Sequence, residues 1–378
     1  MGIKIIHVVE PFAGGTVTFL KSLTDNLQSD SHIVIHGERR EVMCSEEVKA
    51  YFSGNANVRF IRWKSAQRSI NPFKDFNAFT ELYTLLKRLK NKNLIDTVHL
   101  HSSKSGFIGR VVCKMLGIKN VIYTPNGAPF LVGTNPISNY LYKQLERLGA
   151  RFGGRVVCCS TSEQEAYKNV GIDALIINNG IEISDSNPPA ELKKNANIFR
   201  IITSGRIQHQ KNPALFNSIA QYFEGMPQFR FFWAGDGPDR HLLTARNIQV
   251  SGWLSKEDLL AVKNEADVFL STSKFEGLSF SVLEALTMKK PVLLTDCTGN
   301  RDLVKEQLNG DLFKNKNDAA IKLLQYFNNN SMLKVMGEHS YRYCTESFNV
   351  EDTYRGYRKL YADGVTLQFG FNQFKTSF

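Results

Sequence analysis

The sequence has no long hydrophobic run, since no stretch approaches the ~18 consecutive apolar residues that mark a membrane-spanning helix. Its start, MGIKIIHVVE, lacks the apolar core and the small-residue cleavage site of a secretory signal peptide. Ile6 also stands where the N-myristoylation pattern needs Ser or Thr. These absences predict a cytoplasmic protein.

The cysteines are few and scattered, with no C-x-x-C pair and no Cys/His cluster at zinc spacing. The run RVVCCS reads as a buried strand, which places two of the thiols in a core. We predict that all six are reduced thiols that mostly fill the core: Cys44, Cys113, Cys158, Cys159, Cys297 and Cys344.

Several signature motifs are absent. The sequence contains no G-x-x-x-x-G-K-[ST], no G-x-S-x-G and no H-E-x-x-H, which argues against P-loop NTPases, α/β-hydrolases and zincin peptidases. No G-x-G-x-x-G follows the first predicted strand, which argues against an NAD enzyme. The sequence has no D-x-D, and this weakens any function in which paired carboxylates hold a metal ion on a nucleotide diphosphate.

The composition is that of a globular protein, with 42% hydrophobic and 22% charged residues in 378. Residues 1–180 carry 23 Lys and Arg against 14 Asp and Glu, so they hold +9 of the net charge of +11. This asymmetry suggests an anionic partner, namely nucleic acid, an acidic membrane surface or a phosphorylated substrate. A solvated basic face is the alternative. No nucleic-acid-binding module is recognisable.

Short apolar runs alternate with amphipathic stretches along most of the chain, which is typical of parallel sheets covered by helices. The predicted strands of the first half are IKIIHVVE, SHIVIHG, DTVHLHS, KNVIYTP, RVVCCS and ALIINNG. A turn-rich segment with two prolines then reads as a linker, and a second alternation follows. The predicted organisation is two Rossmann-like domains at 1–182 and 198–347, a linker at 183–197 and a C-terminal helical segment at 348–378.

Loops that follow predicted strands carry glycines and cations. Gly14 and Gly15 lie between the first strand and the first helix, where backbone N–H groups can approach an anion. Arg206 and Lys211 follow a strand in SGRIQHQKN, and two cations there could clamp a diphosphate. Gly235 lies at a further strand-to-helix turn, in WAGDGP. Tight turns and a solvated loop are the alternatives.

The segment KFEGLSFSVLEAL places two glutamates eight residues apart, one in a loop and one about two turns into a helix. Glu276 in the loop could accept hydrogen bonds from sugar hydroxyls, and Glu284 in the helix could accept them from a ribose diol. The N–H groups between them, from Leu278 through Ser279 to Phe280, could hold a phosphate. Capping or salt-bridging glutamates are the alternative.

Six segments of the second half, in order, resemble the donor-binding domain of the family 4 retaining glycosyltransferases, which have the GT-B fold: SGRIQHQKN, WAGDGP, SGWL, FEGLSFSVLEAL, PVLLTD and GNRDLV. The first half is similar to the acceptor domain of capsule and O-antigen transferases in VVEPFAGGTVTFLKSL, HLHSSKSGFIGR, YTPNGAPFL and INNGIE. The resemblance implies an α/β fold of two Rossmann-like domains that face each other across a cleft. It also implies that the C-terminal helix crosses back to the first domain.

The resemblance assigns roles to matching residues. It implies that Arg206 and Lys211 neutralise the leaving nucleotide diphosphate, that Glu276 holds the donor sugar and that Glu284 binds the ribose. It implies that the glycine loop at Gly14 and Gly15 faces the donor phosphates or the acceptor. Other positions in the matching loops are expected to face the donor: Gly205, Gly235, Gly277, Leu278, Ser279 and Phe280. Family members work without a metal, which agrees with the missing D-x-D.

One position departs from the family pattern. Asn126 in YTPNG stands where the family often has a histidine near the reacting sugar, and asparagine cannot titrate. The family's front-face mechanism uses a donor phosphate oxygen as the base, so transfer remains feasible. His101 in HLHSSKSG is the nearest substitute in the sequence, and it otherwise ends a strand and packs. We expect His99 to point the other way, so that at most one of the two lines a pocket.

The implied function is transfer of a hexose or N-acetylhexosamine from a nucleotide-diphosphate sugar, UDP-linked or else GDP-linked, with no cofactor. The implied acceptor is a saccharide, either free or linked to a polyprenyl diphosphate, in bacterial surface polysaccharide assembly. Peripheral contact with the inner face of the membrane is expected through cations that end one helix, namely Lys87, Arg88, Lys90 and Lys92. The alternatives are a sugar-nucleotide-binding module that has lost catalysis and a GT-B-fold sugar-nucleotide epimerase.

Overall fold

The computed structural model describes residues 2–37, 45–67, 71–132, 135–183 and 197–373. These residues form two compact units, of which the first comprises Met1–Asn179 with Glu351–Phe378 and the second comprises Gly180–Val350. Residues 184–196 of the predicted linker and Cys44 lie outside the described residues. The other five cysteines are free thiols, and only Cys297 among them is not fully buried.

The first unit is built on a parallel sheet of seven strands among the described residues, in the order β3-β2-β1-β4-β5-β6-β7. The chain runs outward from β1 in one direction and from β4 in the other, so the strand order reverses between these two neighbours. The strands are β1 (Lys4–Val9), β2 (Ser31–His36), β3 (Val58–Arg62), β4 (Thr97–His101), β5 (Val121–Thr124), β6 (Arg155–Cys158) and β7 (Ala174–Ile176).

Helices connect these strands, and their starts follow ordinary capping chemistry. The side chains of Asn71 and Asn135 each accept a hydrogen bond from the backbone N–H three residues later, and a proline occupies the first helical position in both cases. The helices are α1 (Gly15–Asn26), α2 (Ser45–Tyr51), α3 (Pro72–Asn91), α4 (Ser103–Met115), α5 (Pro136–Arg151) and α6 (Thr161–Lys168).

The second unit repeats the plan with a six-stranded parallel sheet in the order β10-β9-β8-β11-β12-β13, and its strand order reverses between β8 and β11. Its strands are β8 (Phe199–Ser204), β9 (Phe229–Ala234), β10 (Ile248–Gly252), β11 (Val268–Ser271), β12 (Val292–Thr295) and β13 (Gly310–Phe313). Its helices are α7 (Pro213–Tyr222), α8 (Lys256–Glu265), α9 (Phe280–Thr287), α10 (Lys316–Phe327) and α11 (Asn330–Ser347).

The last helix, α12 (Val350–Gln373), packs on the first unit. The hydroxyl of Tyr361 lies 2.7 Å from Nδ1 of His99, and the hydroxyl of Tyr357 lies 3.1 Å from Oγ1 of Thr124. Arg155 donates a hydrogen bond of 2.7 Å to a carbonyl of α12. In the part of the chain that the structure describes, no helix combines the length and the hydropathy needed to cross a bilayer.

Candidate active site

Two glycines meet where β8 and β9 end at the carboxyl edge of the second sheet. Gly205 N–H donates to the carbonyl of Ala234 at 2.9 Å, and the indole N–H of Trp233 donates to the carbonyl of Gly205 at 2.9 Å. Gly205 and Gly235 have φ values of +132° and +146°, and a Cβ on Gly235 would lie 2.2 Å from the carbonyl oxygen of Gly205. Only glycine fits this contact, so Gly235, which is buried, lets the turns after β8 and β9 pack directly against each other.

The loop after β8 brings a lysine against a glutamate from a distant loop. Lys211 Nζ lies 2.7 Å from Oε1 of Glu276, which is 65 residues away in the sequence. Gln210 donates to the second carboxylate oxygen at 3.3 Å. Glu276 is 7% exposed and Lys211 is half-buried, so the carboxylate is held by two donors in a partly desolvated place. Arg206 lies half-buried in the same loop as Lys211.

A third loop supports Glu276 from behind. The N–H of Glu276 donates to the carbonyl of Thr298 at 2.9 Å. Gly299 has a φ of +83°, and a Cβ there would lie 2.7 Å from the carbonyl oxygens of both Glu276 and Gly277. The loop after β12 therefore fixes the backbone that carries the carboxylate, which limits the directions in which that carboxylate can point.

The start of α9 follows directly. Ser279 occupies the cap position and Phe280 begins the helix, while Leu278 and Ser279 are buried. The carbonyl of Ser279 accepts hydrogen bonds from the N–H groups of Val282 and Leu283 at 3.1 Å. A helix start presents its first N–H groups outward, which suits an anion. Phosphate binding by Leu278, Ser279 and Phe280 stays a prediction.

Glu284 has a partner that sequence reasoning missed. Its Oε2 accepts from Nζ of Lys263 on α8, whose side chain is completely buried, while the Glu284 side chain is 34% exposed. The sequence signal for this contact is the spacing of Lys263 from Leu259. Residues four apart lie on the same side of a helix, and Lys263 therefore shares the inner side of α8 with Leu259. A buried ammonium that holds one carboxylate oxygen orients Glu284, whose other oxygen can then accept hydrogen bonds from a diol.

The candidates of the first unit share the carboxyl edge of its sheet on both sides of the strand-order reversal. Gly14, with a φ of +60°, precedes α1, and nothing lies within 4 Å of a Cβ placed on it. Gly14 and Gly15 are both exposed. Asn126 follows β5 with a φ of +58°, is half-buried, and donates to the carbonyl of Thr124 at 3.4 Å. These positions lie where open α/β sheets bind ligands.

His101 ends β4 with its side chain turned into the interior and completely buried. The expectation that His99 points the other way is wrong, because residues i and i+2 of a strand share one face. The two imidazole rings lie 3.9 Å apart between centroids, together with His7. A catalytic role for His101 stays a prediction.

The hydrogen bonds of this histidine cluster fix its tautomers. His32 Nε2 lies 3.3 Å from the carbonyl of Leu27, which can only accept, so Nδ1 of His32 accepts from His7 at 3.0 Å. His7 Nδ1 then accepts from Nε2 of His101 at 3.1 Å. Nδ1 of His101 therefore carries no proton, and it has no hydrogen-bond partner among the described residues. Burial lowers the pKa of His101 to about 3 and also lowers the pKa of His7 well below its usual range, so the chain of rings is neutral.

Among the described residues, one group of side chains has the spacing of metal ligands, and it consists of His7, His99 and His101. One nitrogen each of His7, His99 and His101 lie within 4.8 Å of one another. However, both nitrogens of His7 are hydrogen-bonded to other histidines, and both nitrogens of His99 are hydrogen-bonded to Tyr361 and Thr124. The hydrogen-bond network accounts for the arrangement of these rings without a metal ion.

Two family models match consecutive parts of the chain, which together span residues 13–343. Residues 13–185 match "Glycosyltransferase Family 4", and residues 185–343 match "Glycosyl transferases group 1". The second match covers Arg206, Lys211, Glu276 and Glu284, and the first covers Gly14, Asn126 and His101. The models therefore divide the chain close to the boundary between the two compact units.

Two curated relatives and one solved structure illustrate the likeness. The UDP-Gal:alpha-D-GlcNAc-diphosphoundecaprenol alpha-1,3-galactosyltransferase of Escherichia coli is 27% identical over 79% of this chain and 82% of its own length. The O-antigen biosynthesis glycosyltransferase WbnH of Escherichia coli is 28% identical over 67% and 73%. Anabaena Alr3699/HepE, solved with UDP-glucose, superposes with a TM-score of 0.73 at 15% identity, covering 96% of this chain and 99% of that one. The predicted α/β fold with two parallel sheets, of GT-B type, is confirmed.

Proposed function

The chain belongs to glycosyltransferase family 4, and from that premise we propose that it transfers a sugar from a UDP-sugar to a saccharide on a polyprenyl diphosphate. We propose further that transfer retains the anomeric configuration, needs no metal, and serves bacterial surface polysaccharide assembly. The names of the two Escherichia coli relatives support the acceptor class and the pathway. The observation that carries the proposal is the Lys211–Glu276 pair beside the Gly205–Gly235 contact.

The geometry suits a nucleotide-diphosphate sugar bound at the carboxyl edge of the second sheet. In the proposed complex the diphosphate contacts Lys211 and Arg206 beside the turn that contains Gly205. Lys211 holds Glu276 in place, and the carboxylate accepts hydrogen bonds from the sugar. Glu284, oriented by Lys263, accepts from the ribose. The cations supply the charge stabilisation that a metal ion supplies elsewhere, which supports metal independence.

The chemical step needs no protein base. The bond from the anomeric carbon to the diphosphate oxygen breaks with an oxocarbenium-like transition state, and negative charge develops on the diphosphate. Lys211 and Arg206 stabilise that charge, and removal of one such donor typically costs about 3–4 kcal/mol. The acceptor hydroxyl forms the new bond on the same face, and its proton passes to the departing diphosphate oxygen. Asn126 can position the acceptor but cannot take this proton.

A donor panel tests the proposal. The purified chain is mixed in EDTA with UDP-galactose, UDP-glucose, UDP-N-acetylglucosamine and GDP-mannose, and unfolding temperature and nucleotide release are recorded. We expect one UDP-sugar to raise the unfolding temperature and to release UDP slowly in EDTA. Stabilisation without release, even with a lipid-linked acceptor present, would instead support the binding-module alternative, and a response to GDP-mannose alone would exclude the UDP assignment.

A further inference from the structure

Helix α5 turns its apolar side to solvent. Ile137 is 74% exposed, Tyr140 is 61% exposed and Leu141 is 56% exposed, and Leu145 and Leu148 continue the same stripe at helical spacing. Surface helices of globular proteins normally bury such a stripe and expose their polar side. In α5 this orientation is reversed, so its outer side is an apolar surface without a partner in the described chain.

A buried ion pair fixes this reversed orientation. On the inner side of α5, Oε2 of Glu146 accepts from Nη2 of Arg110 at 3.1 Å and Oε1 accepts from the hydroxyl of Tyr123 at 2.9 Å. Arg110 and Glu146 are both fully buried, and the Arg110 guanidinium lies 4.4 Å from the centroid of the Tyr123 ring. Rotation of α5 to bury its leucines would strand both charges, which is costly.

Close packing adds to this constraint. Gly149 of α5 lies against Arg110, since a Cβ on Gly149 would lie 2.4 Å from Nη2 of that arginine. The inner side of α5 thus consists of a small residue and a paired carboxylate that fit one buried arginine. The exposed stripe is therefore a fixed feature of the first unit, and its apolar side chains can contact another molecule.

The start of α3 carries further exposed apolar side chains. Phe73 is 87% exposed and Phe76 is also exposed. Helices α3, α4 and α5 follow β3, β4 and β5, and right-handed crossovers in the same direction place them on one face of the sheet. Because each of these helices begins at the carboxyl end of the preceding strand, the exposed aromatic residues of α3 and the exposed start of α5 lie at the same edge. That edge also carries Asn126.

The charges on α5 indicate what covers the stripe. Lys143, Arg147 and Arg151 are the basic residues of the helix, and its single acid, Glu146, is buried and paired. All unpaired charge on the helix is therefore positive, which complements an anionic surface. Two copies of the chain that met through α5 would bring these cations together, and that disfavours a symmetric dimer.

We propose that α5, together with the start of α3, docks on an anionic lipid bilayer, with the apolar stripe in the interface and the cations near the headgroups. The inference rests on the proposed function and deepens it, because it names the surface from which a lipid-linked acceptor would be taken. It also relocates the predicted membrane contact. The end of α3 lies at the opposite edge of the sheet from the start of α5. Nζ of Lys90 at that end donates a hydrogen bond to the carbonyl of Leu116.

Vesicle co-sedimentation of the full chain tests this proposal, with phosphatidylcholine vesicles that contain or lack phosphatidylglycerol. We expect salt-sensitive binding to the anionic vesicles and binding at least tenfold weaker for the double variant Ile137→Gln/Leu141→Gln. The matched control is Ile321→Gln/Val335→Gln, which changes two comparably exposed apolar residues of the second unit and should bind like the wild type. Because all four side chains are exposed, each variant should keep the wild-type unfolding temperature.

Three outcomes would overturn the proposal: no binding of the wild type to anionic vesicles, equal binding of the Ile137→Gln/Leu141→Gln variant, or conversion of a dimer to a monomer by that variant without an effect on vesicles. The last outcome would show that α5 forms the contact between two copies of the chain. Stabilisation by UDP is measured on the same preparations. UDP stabilisation without vesicle binding would refute the docking surface alone, whereas vesicle binding without UDP stabilisation would refute the proposed function and leave the surface.

Discussion

Replacement of Lys211 by alanine is expected to lower kcat by about 100- to 1,000-fold, which is the usual effect of removing one donor that stabilises developing charge. The lysine lies 2.7 Å from Glu276, and its Cε would lie 3.5 Å from a Cβ placed on Gly205 at the carboxyl edge of the second sheet. Its charge acts on the departing diphosphate, so its loss should appear mainly in kcat. Initial rates of UDP release and of sugar transfer measure the effect.

Glu276→Gln is expected to impair the same step, since the amide keeps the shape but loses the charge that pairs with Lys211. The two changes remove the same ion pair, so the kcat of the double variant should be little lower than that of Lys211→Ala alone. The matched controls are Lys289→Ala and Glu338→Gln, which break a similar pair of 2.8 Å on the exposed surface of the same unit. If Lys211→Ala turned over at a rate near that of the controls, Lys211 would have no part in the chemical step.

The first unit is expected to lose stability steeply as the pH falls from 7 to 5. Burial is the main cause that lowers the pKa of His7, His99 and His101, with neighbouring rings adding to the effect for the first two. These rings stay neutral in the folded chain, whereas in the unfolded chain they protonate below about pH 6.5. The unfolded state then binds more protons, so the free energy of unfolding falls as the pH falls.

The size of this effect follows from the number of rings. Each histidine that stays neutral in the folded chain lowers the free energy of unfolding by about 2 kcal/mol at pH 5. Three such histidines lower it by about 6 kcal/mol, which is comparable to the whole stability of a domain. The loss begins below pH 6.5 and continues toward the folded pKa of His101, about 3. Urea-dependent hydrogen exchange, corrected for intrinsic rates, reports the free energy of unfolding for peptides of each unit separately.

Two variants control this measurement. His99→Gln removes one titrating ring and should reduce the pH slope by about 1.4 kcal/mol per pH unit. His241→Gln removes an exposed ring of the second unit and should leave the slope unchanged. A first unit equally stable at pH 7 and pH 5 would mean that the cluster takes up protons while folded.

The sequence predicted the strands that read as apolar runs and the loops between them, because buried parallel strands are hydrophobic on both faces. It missed β3 and β13. The former carries Arg59 and Arg62 and is only partly buried, while the latter has four residues and begins with a glycine. Neither offers the pattern that marks a central strand.

Sequence reasoning also found the loops of the candidate site, since glycines and cations after strands mark ligand edges. It could not find the partners that tertiary packing supplies. The buried Lys263 beside Glu284 comes from another helix, and the Arg110–Glu146 pair reverses the side of α5 that faces the core. The pattern of α5 alone predicts its leucines inside, and only a buried charge on the neighbouring helix overrides that preference.

The function proposed for the chain is retaining, metal-independent sugar transfer from a UDP-sugar to a lipid-linked saccharide. Its most direct test is proton NMR of the product formed in EDTA from the UDP-α-sugar that the donor panel identifies and an N-acetylglucosamine diphosphate lipid. We expect a new glycosidic linkage with the α configuration of the donor. A β-linked product, or transfer that stops in EDTA and resumes with added divalent metal, would contradict it.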